Sequence, residues 1–139
     1  MMEAYSSALL GVWVILFTII AQLVVAVVAH RMQRGYIPGI VDNSLDNKSF
    51  IFRSHRAHIN SLENFIVMFA TIFVAIFMGV SATWVAVCVW IYAIARILHM
   101  WSYYAIATNR NPSLRSLFYV FGLVANVVLL FKVGFAFLG

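Results

Sequence analysis

Four long apolar stretches, separated by polar connections, dominate the chain. They cover about residues 8–29, 62–80, 84–101 and 114–138, and the charged residues inside them are Glu63, Arg96, Arg115 and Lys132. A helix of about 20 residues crosses the ~30 Å hydrocarbon core of a bilayer. The pattern therefore predicts an all-α integral membrane protein. In it, residues 1–139 form a single domain, a four-transmembrane-helix antiparallel bundle.

The three connections differ in length and composition. About thirty residues rich in Gly, Pro, Asp and Asn separate the first two spans, and a helix that begins near Phe50 is compatible with the last part of this segment. Between the second and third spans the chain has little more than residues 81–83, which predicts a tight hairpin. The third connection contains Asn109, Asn111 and Pro112, so the fourth helix should begin just after the proline.

Composition supports the membrane class and excludes several others. Hydrophobic residues make up 65% of the chain and charged residues 9%, which argues against a water-soluble domain and against a disordered chain. A single cysteine, Cys88, excludes a disulfide framework and a multi-cysteine metal site. The net charge of +5 would suggest nucleic acid in a soluble protein. Here the basic residues flank membrane spans, and we expect no nucleic-acid partner.

Lysine and arginine predict the orientation. They concentrate in the first and third connections and beside them, at Arg31, Arg34, Lys48, Arg53, Arg56, Arg110 and Arg115. The positive-inside rule then places these two connections in the cytoplasm and both termini on the non-cytoplasmic side. Lys132 can extend to the opposite interface.

A polar stripe lies at the entrance of the second span. Arg56, Asn60 and Glu63 are spaced by four and three residues, so on a helix they share one face. Such groups are costly to present to lipid and should face a neighbouring helix or a wet pocket. Two interpretations are open: an ion-pair network that fixes the bundle, or part of a ligand site.

Two further polar stripes lie at the same end of the predicted bundle: Arg96, His99 and Tyr103 on the third span, and Arg115 and Tyr119 on the fourth. Arg96 lies about two turns, roughly 10 Å, deeper in the membrane than Tyr103. It needs an anionic partner, which is either Glu63 or the carboxylate of a ligand. Three stripes together favour an anion pocket over an ion-pair network. His30 and His99 are possible haem ligands, but anion binding explains His99 beside Arg96 more simply, and we expect no haem and no metal.

The motifs Arg56-Ala57-His58-x-Asn60-x-x-Glu63, Arg96-x-x-His99-x-x-x-Tyr103 and Pro112-x-x-Arg115-Ser116-x-x-Tyr119 resemble those of the MAPEG family. These are the membrane-associated proteins of eicosanoid and glutathione metabolism, among them the microsomal glutathione transferases. The resemblance covers the whole chain, with four spans, a long first connection and a short second hairpin. The first motif is the most specific of the three.

The resemblance implies a homotrimer that binds glutathione between adjacent subunits near the cytoplasmic face. The residues that would hold glutathione are Arg31, Arg56, Asn60, Glu63, Arg96, His99 and Tyr103, and the catalytic residues near the sulfur would be Arg115 and Tyr119. Family members often have proline two residues before the helix-four arginine, whereas Pro112 precedes Arg115 by three. Arg110 is therefore a rival for the thiol-activating role.

The implied chemistry agrees with the residue types. Glutathione, as a co-substrate, carries two carboxylates and one ammonium, and arginine forms bidentate bonds with carboxylates. A guanidinium beside a thiol lowers the thiol pKa and raises the thiolate fraction. The function implied is a glutathione transferase or peroxidase that acts on apolar electrophiles or lipid hydroperoxides from the bilayer. The alternatives are a non-catalytic lipid-binding scaffold of the same fold and a small multidrug transporter. A transporter of this kind would need a carboxylate midway along the first span, and this span has none.

Overall fold

The computed structural model describes residues 3–138, which form four long helices. These are α1 (Ser6–Arg31), α2 (Phe50–Phe77), α3 (Ala82–Ala105) and α4 (Leu114–Phe137). By length and composition, each is able to cross a membrane. Within residues 3–138 there is no β-strand, only an isolated bridge between Ile37 and Ile40. The predicted all-α class with four membrane-spanning helices is confirmed.

The bundle is organised around α3, which packs against α1, α2 and α4. In addition α2 contacts both α1 and α4, whereas the described residues of α1 and α4 make no contact with each other. Side chains at the centre are fully buried, including Met68, Ile72, Val85, Val89 and Leu129. Because lipid is as apolar as these side chains, close packing rather than hydrophobic burial holds such helices together.

The second helix begins at Phe50, as the sequence allowed, and so extends beyond the apolar span that starts at about Leu62 and contains the whole polar stripe of α2. It ends at Phe77 rather than at Val80, because Gly79 adopts a φ of +68° that only glycine takes readily. The Tyr5 hydroxyl donates a 2.7 Å hydrogen bond to the Val80 carbonyl and ties the N-terminal segment to this hairpin.

Exposed tryptophans lie near both ends of α3. Trp101 is exposed near its C-terminal end, and Trp84 is exposed near its start. The Lys132 ammonium lies 4.3 Å from the centre of the Trp84 ring, a cation–π contact between α3 and α4. Tryptophan and lysine in such positions are typical of side chains at a membrane–water interface.

A glycine sets the distance between α1 and α3. Gly11 is buried, and a Cβ atom added there would lie 2.6 Å from Cγ1 of Val89. Small residues at such contacts allow the backbones of membrane helices to approach closely. The close approach of α1 to α3 therefore depends on the absence of a side chain at Gly11.

We expect Gly11→Ala to destabilise the bundle by about 1–3 kcal/mol, the usual cost of overpacking a tight core. Thermal unfolding in detergent, followed by helical circular dichroism, measures the effect. Gly134→Ala in α4 is the matched control, because a Cβ there meets nothing within 4 Å while the gain in helix propensity is the same. The double variant Gly11→Ala/Val89→Ala should recover much of the loss. Equal unfolding temperatures for the two single variants would contradict this packing argument.

Candidate functional site

An open cavity of about 380 Å³ lies at the end of the bundle where the first connection (residues 32–49) and the third connection (residues 106–113) meet. This end is called the polar end below. Side chains from α2, α3, α4 and both connections line the cavity. They include six of the residues predicted for the site: Asn60, His99, Tyr103, Arg110, Arg115 and Tyr119.

Arg96 lies directly behind the cavity wall. Its side chain is 3% exposed, and Nη2 donates hydrogen bonds to Asn60 Oδ1 (2.8 Å) and Ser61 Oγ (3.1 Å). Its Nε is buried and has no hydrogen-bond partner. Burying a guanidinium in a membrane span without a negative partner is costly. An anion bound beside Asn60 would offset part of that cost.

The structure does not bring Glu63 to Arg96. Ser61 faces α3, and Glu63, two residues later, points about 200° around the helix from it. Glu63 is accordingly exposed on the outer face of α2. Arg96 therefore lacks the carboxylate that one of the sequence interpretations assigned to it.

Arg115 is held at the cavity wall by three neutral groups. Nη1 donates to Asn47 Oδ1 (2.8 Å), and Nη2 donates to the Thr108 carbonyl. The guanidinium carbon lies 4.5 Å from the centre of the Tyr103 ring, and the His99 ring meets Tyr103 edge-on. Because amide, carbonyl and ring carry no net charge, they orient the guanidinium without neutralising it.

Arg53 supplies a further guanidinium at the polar end, which the sequence motifs did not predict for the site. Its side chain is buried; Nε donates to the Tyr103 carbonyl, and Nη1 donates to the carbonyls of Asn47 and Lys48, all at 2.9 Å. Arg53 thereby fastens the first connection to the C-terminal end of α3. Its spacing offered a signal, because it precedes Asn60 by seven residues and so lies on nearly the same helical face.

Asparagines join the two connections. Asn47 Nδ2 donates to Asn109 Oδ1 (2.8 Å), and Asn109 Nδ2 lies 3.4 Å from Asp46 Oδ2. The backbone N–H of Lys48 donates to Asp46 Oδ1 and holds the pKa of that carboxyl below its usual range. Because the pKa of Asp46 is lower in the folded protein than in the unfolded chain, the ionised carboxylate stabilises the folded connection above about pH 4. This stabilisation is lost as the pH falls through the folded-state pKa.

The family model described as the MAPEG family matches residues 7–135 of the chain. This match runs from the first turn of α1 to the last turn of α4. The chain belongs to the MAPEG family. Membership supports a broad role in glutathione or eicosanoid metabolism. Neither a curated protein nor a solved structure matches the chain.

Three of the residues predicted from the MAPEG resemblance lie away from the cavity. Arg31 at the end of α1 and Arg56 and Glu63 on α2 are exposed. The two α2 residues lie on the side of that helix turned away from α3, which explains why they do not reach the cavity. Arg110 is also exposed but lines the rim of the cavity. The predicted set is thus divided between the cavity and the outer surface of the bundle.

The chemistry available in this MAPEG cavity is that of hydrogen-bond donors and positive charge. Amides, hydroxyls, phenols and guanidinium groups line it, and carboxylates do not. Among residues 3–138 no group of three or more His, Cys, Asp or Glu side chains is placed to hold a metal ion. The arrangement is suited to an anionic ligand.

Proposed function

We propose that this MAPEG protein binds glutathione at the polar end and activates its thiol for attack on apolar electrophiles or lipid hydroperoxides. It would thus be a membrane-bound glutathione transferase with possible peroxidase activity. The observation that carries the proposal is the pair of guanidinium groups, Arg96 and Arg115, whose hydrogen bonds all go to neutral acceptors. Arg115 lines the cavity and Arg96 lies behind Asn60 at its wall, so both guanidinium groups favour an anionic ligand there.

The charges and the size of glutathione suit the site. The tripeptide has two carboxylates, and guanidinium groups bind carboxylates strongly. Asn60 and Tyr103 at the cavity wall supply neutral hydrogen-bonding groups for the peptide backbone. The cavity volume, about 380 Å³, lies within the range of small-molecule sites.

Arg115 is the group best placed to activate the thiol. A fixed guanidinium next to the sulfur favours the thiolate, and the thiol proton leaves to water. The phenol of Tyr119 lines the same cavity and can donate a hydrogen bond to the sulfur anion. In conjugation the thiolate forms a new sulfur–carbon bond as the leaving group departs with its electron pair. The protein's part is to bind the tripeptide and hold a positive charge where the sulfur is negative.

A homotrimer would explain the residues on the outer face. Glu63 lies within the second apolar span and is exposed on the outer face of the bundle, where a carboxylate that meets lipid is costly. Arg31 and Arg56 are exposed nearer the polar end. In the proposed trimer these three side chains of one subunit lie against the cavity of the next, and Glu63 binds the ammonium of glutathione. Following the positive-inside rule, the site lies near the cytoplasmic face and both termini lie on the other side.

Titration calorimetry of the detergent-purified protein tests this proposal. Native protein should bind glutathione, and Glu63→Gln should weaken that binding about 10- to 100-fold, the range for a hydrogen bond between charged groups. The same variant should change the affinity of a glutathione analogue without the amino group much less. Glu3→Gln, which changes an exposed carboxylate outside the motifs, is the control.

Two outcomes would contradict the proposal in different ways. Equal losses for glutathione and for the analogue would reject the contact between Glu63 and the ammonium. Absence of glutathione binding by the native protein would reject the glutathione site and favour the lipid-binding scaffold or the transporter.

A further inference from the structure

Asn47 forms hydrogen bonds with three different parts of the polar end, α2, α4 and the third connection. Its carbonyl accepts from Arg53, its side-chain oxygen accepts from Arg115, and its side-chain nitrogen donates to Asn109. The three donor–acceptor distances are 2.8–2.9 Å. The backbone of Asn47 is thus anchored to α2, while its amide reaches the arginine at the start of α4.

The charge of the acceptor matters at this position. A guanidinium has five N–H donors, and Asn47 and Thr108 use two of them while Tyr103 covers one face. An amide oxygen fixes the direction of the group and leaves its unit charge intact. A carboxylate oxygen 2.8 Å from Nη1 of Arg115 would orient the guanidinium equally well, but its negative charge would cancel most of the field that the guanidinium exerts on a ligand.

We propose that Asn47 is a positioning residue for Arg115, which its neutral amide orients toward the cavity without neutralising it. The proposal rests on the function proposed above, in which Arg115 activates the thiol of glutathione. Asn47 lies outside the family motifs and reaches the cavity because Arg53 fixes the first connection beside α3. The connection between α1 and α2 therefore joins the two helices and also contributes to the reactivity of the site.

Two variants separate the charge of this side chain from its shape. Asn47→Asp keeps the size of the side chain and the oxygen that accepts from Arg115, but it adds a negative charge. Asn47→Ala removes that oxygen and adds no charge. The ultraviolet absorbance of the thiolate measures the pH at which the thiol of bound glutathione ionises. This pH should rise by about one unit in Asn47→Asp, which means a roughly tenfold smaller thiolate fraction near neutral pH. The rise should be smaller in Asn47→Ala. A merely structural role predicts the opposite order, because aspartate preserves the hydrogen bond to Arg115.

A second readout does not depend on ionisation of the thiol. Glutathione sulfonate carries a permanent negative charge at the sulfur position, whereas S-methylglutathione is neutral there. Asn47→Asp should weaken the sulfonate about tenfold more than it weakens the S-methyl derivative. Asn43→Asp adds the same charge to the same connection at an exposed position and is the matched control. Asn109→Ala removes the bond between Asn47 and Asn109 without adding charge.

The outcomes distinguish this inference from the proposed function. If the native protein binds glutathione and ionises its thiol, but Asn47→Asp behaves like Asn43→Asp, the positioning role of Asn47 is wrong and the proposed function stands. If Asn47→Ala has the larger effect on the thiol, the hydrogen bond to Arg115 matters and the neutrality of its acceptor does not, which contradicts the charge argument of this inference. If the native protein binds neither glutathione nor its sulfonate, the proposed function fails and this inference fails with it.

Discussion

Replacing Arg115 by alanine is expected to slow conjugation of an apolar electrophile by roughly 10²-fold or more, while most of the glutathione affinity is retained. This is the scale of losing one preorganised charge-stabilising group. Arg115 is fixed by Asn47, Thr108 and Tyr103, so its charge is already in position before the ligand arrives. Only the sulfur changes charge on activation, which is why the turnover number should fall much more than the affinity for the tripeptide.

The comparison variant is Arg110→Ala. Arg110 lines the same cavity from the third connection but is exposed at the rim, so its charge is better screened by water. Turnover with a generic apolar electrophile and thiolate absorbance near neutral pH are measured for both variants. If Arg110→Ala abolishes turnover and Arg115→Ala does not, the activating role moves to Arg110. If neither variant changes turnover, the protein is not a thiol-activating enzyme of the kind proposed.

Replacing Arg96 by methionine is expected to have opposite effects on binding and on stability. Glutathione binding should weaken by about 2–5 kcal/mol, the range for truncating one partner of a buried charged contact. The ligand-free bundle should be unchanged or more stable, by up to about 4 kcal/mol, because methionine replaces a buried cation that has only neutral partners. Calorimetry with glutathione and thermal unfolding without it measure the two effects separately.

This variant also tests whether Arg96 serves the fold rather than a ligand. If its hydrogen bonds to Asn60 and Ser61 fix the bundle, loss of Arg96 should destabilise the ligand-free protein by about 1.5–3 kcal/mol per bond. Ser61→Ala, which removes one of the two acceptors and keeps the charge, is the control for the hydrogen bond alone. A large loss of stability in Arg96→Met together with unchanged glutathione binding would contradict the anion site.

The helices could be predicted from sequence because length and hydropathy are local properties. Long apolar runs must be helical in lipid, since every backbone group has to be satisfied within the segment. Hydropathy alone does not locate the start of α2, because residues 50–61 mix apolar and polar side chains and lie outside the long apolar run. Its end at Phe77 depends on the positive φ of Gly79, which hydropathy does not reveal.

Parts of the candidate site were also accessible from spacing. His99 with Tyr103 on α3, and Arg115 with Tyr119 on α4, line one cavity because residues four apart share a helical face. On α2 the spacing grouped Asn60 with Arg56 and Glu63, but only Asn60 lines the cavity. Spacing does not say which face meets which helix, and for that reason it left Glu63 as a possible partner of Arg96. The contribution of Asn47 could not be predicted from the sequence, because the position of an irregular connection depends on contacts with distant residues such as Arg53.

The tryptophans of α3 bear on the kind of bilayer that suits this protein. At 1.5 Å per residue, Trp84 and Trp101 lie roughly 26 Å apart along the helix axis. Side chains of this type settle at the headgroup level, so their separation approximates the hydrocarbon thickness that the bundle matches. That value is below the ~30 Å of an average bilayer, and each ångström of hydrophobic mismatch costs a fraction of a kcal/mol. We therefore expect the bundle to be more stable in bilayers of shorter acyl chains than in thicker ones, because the lipid is then deformed less around it.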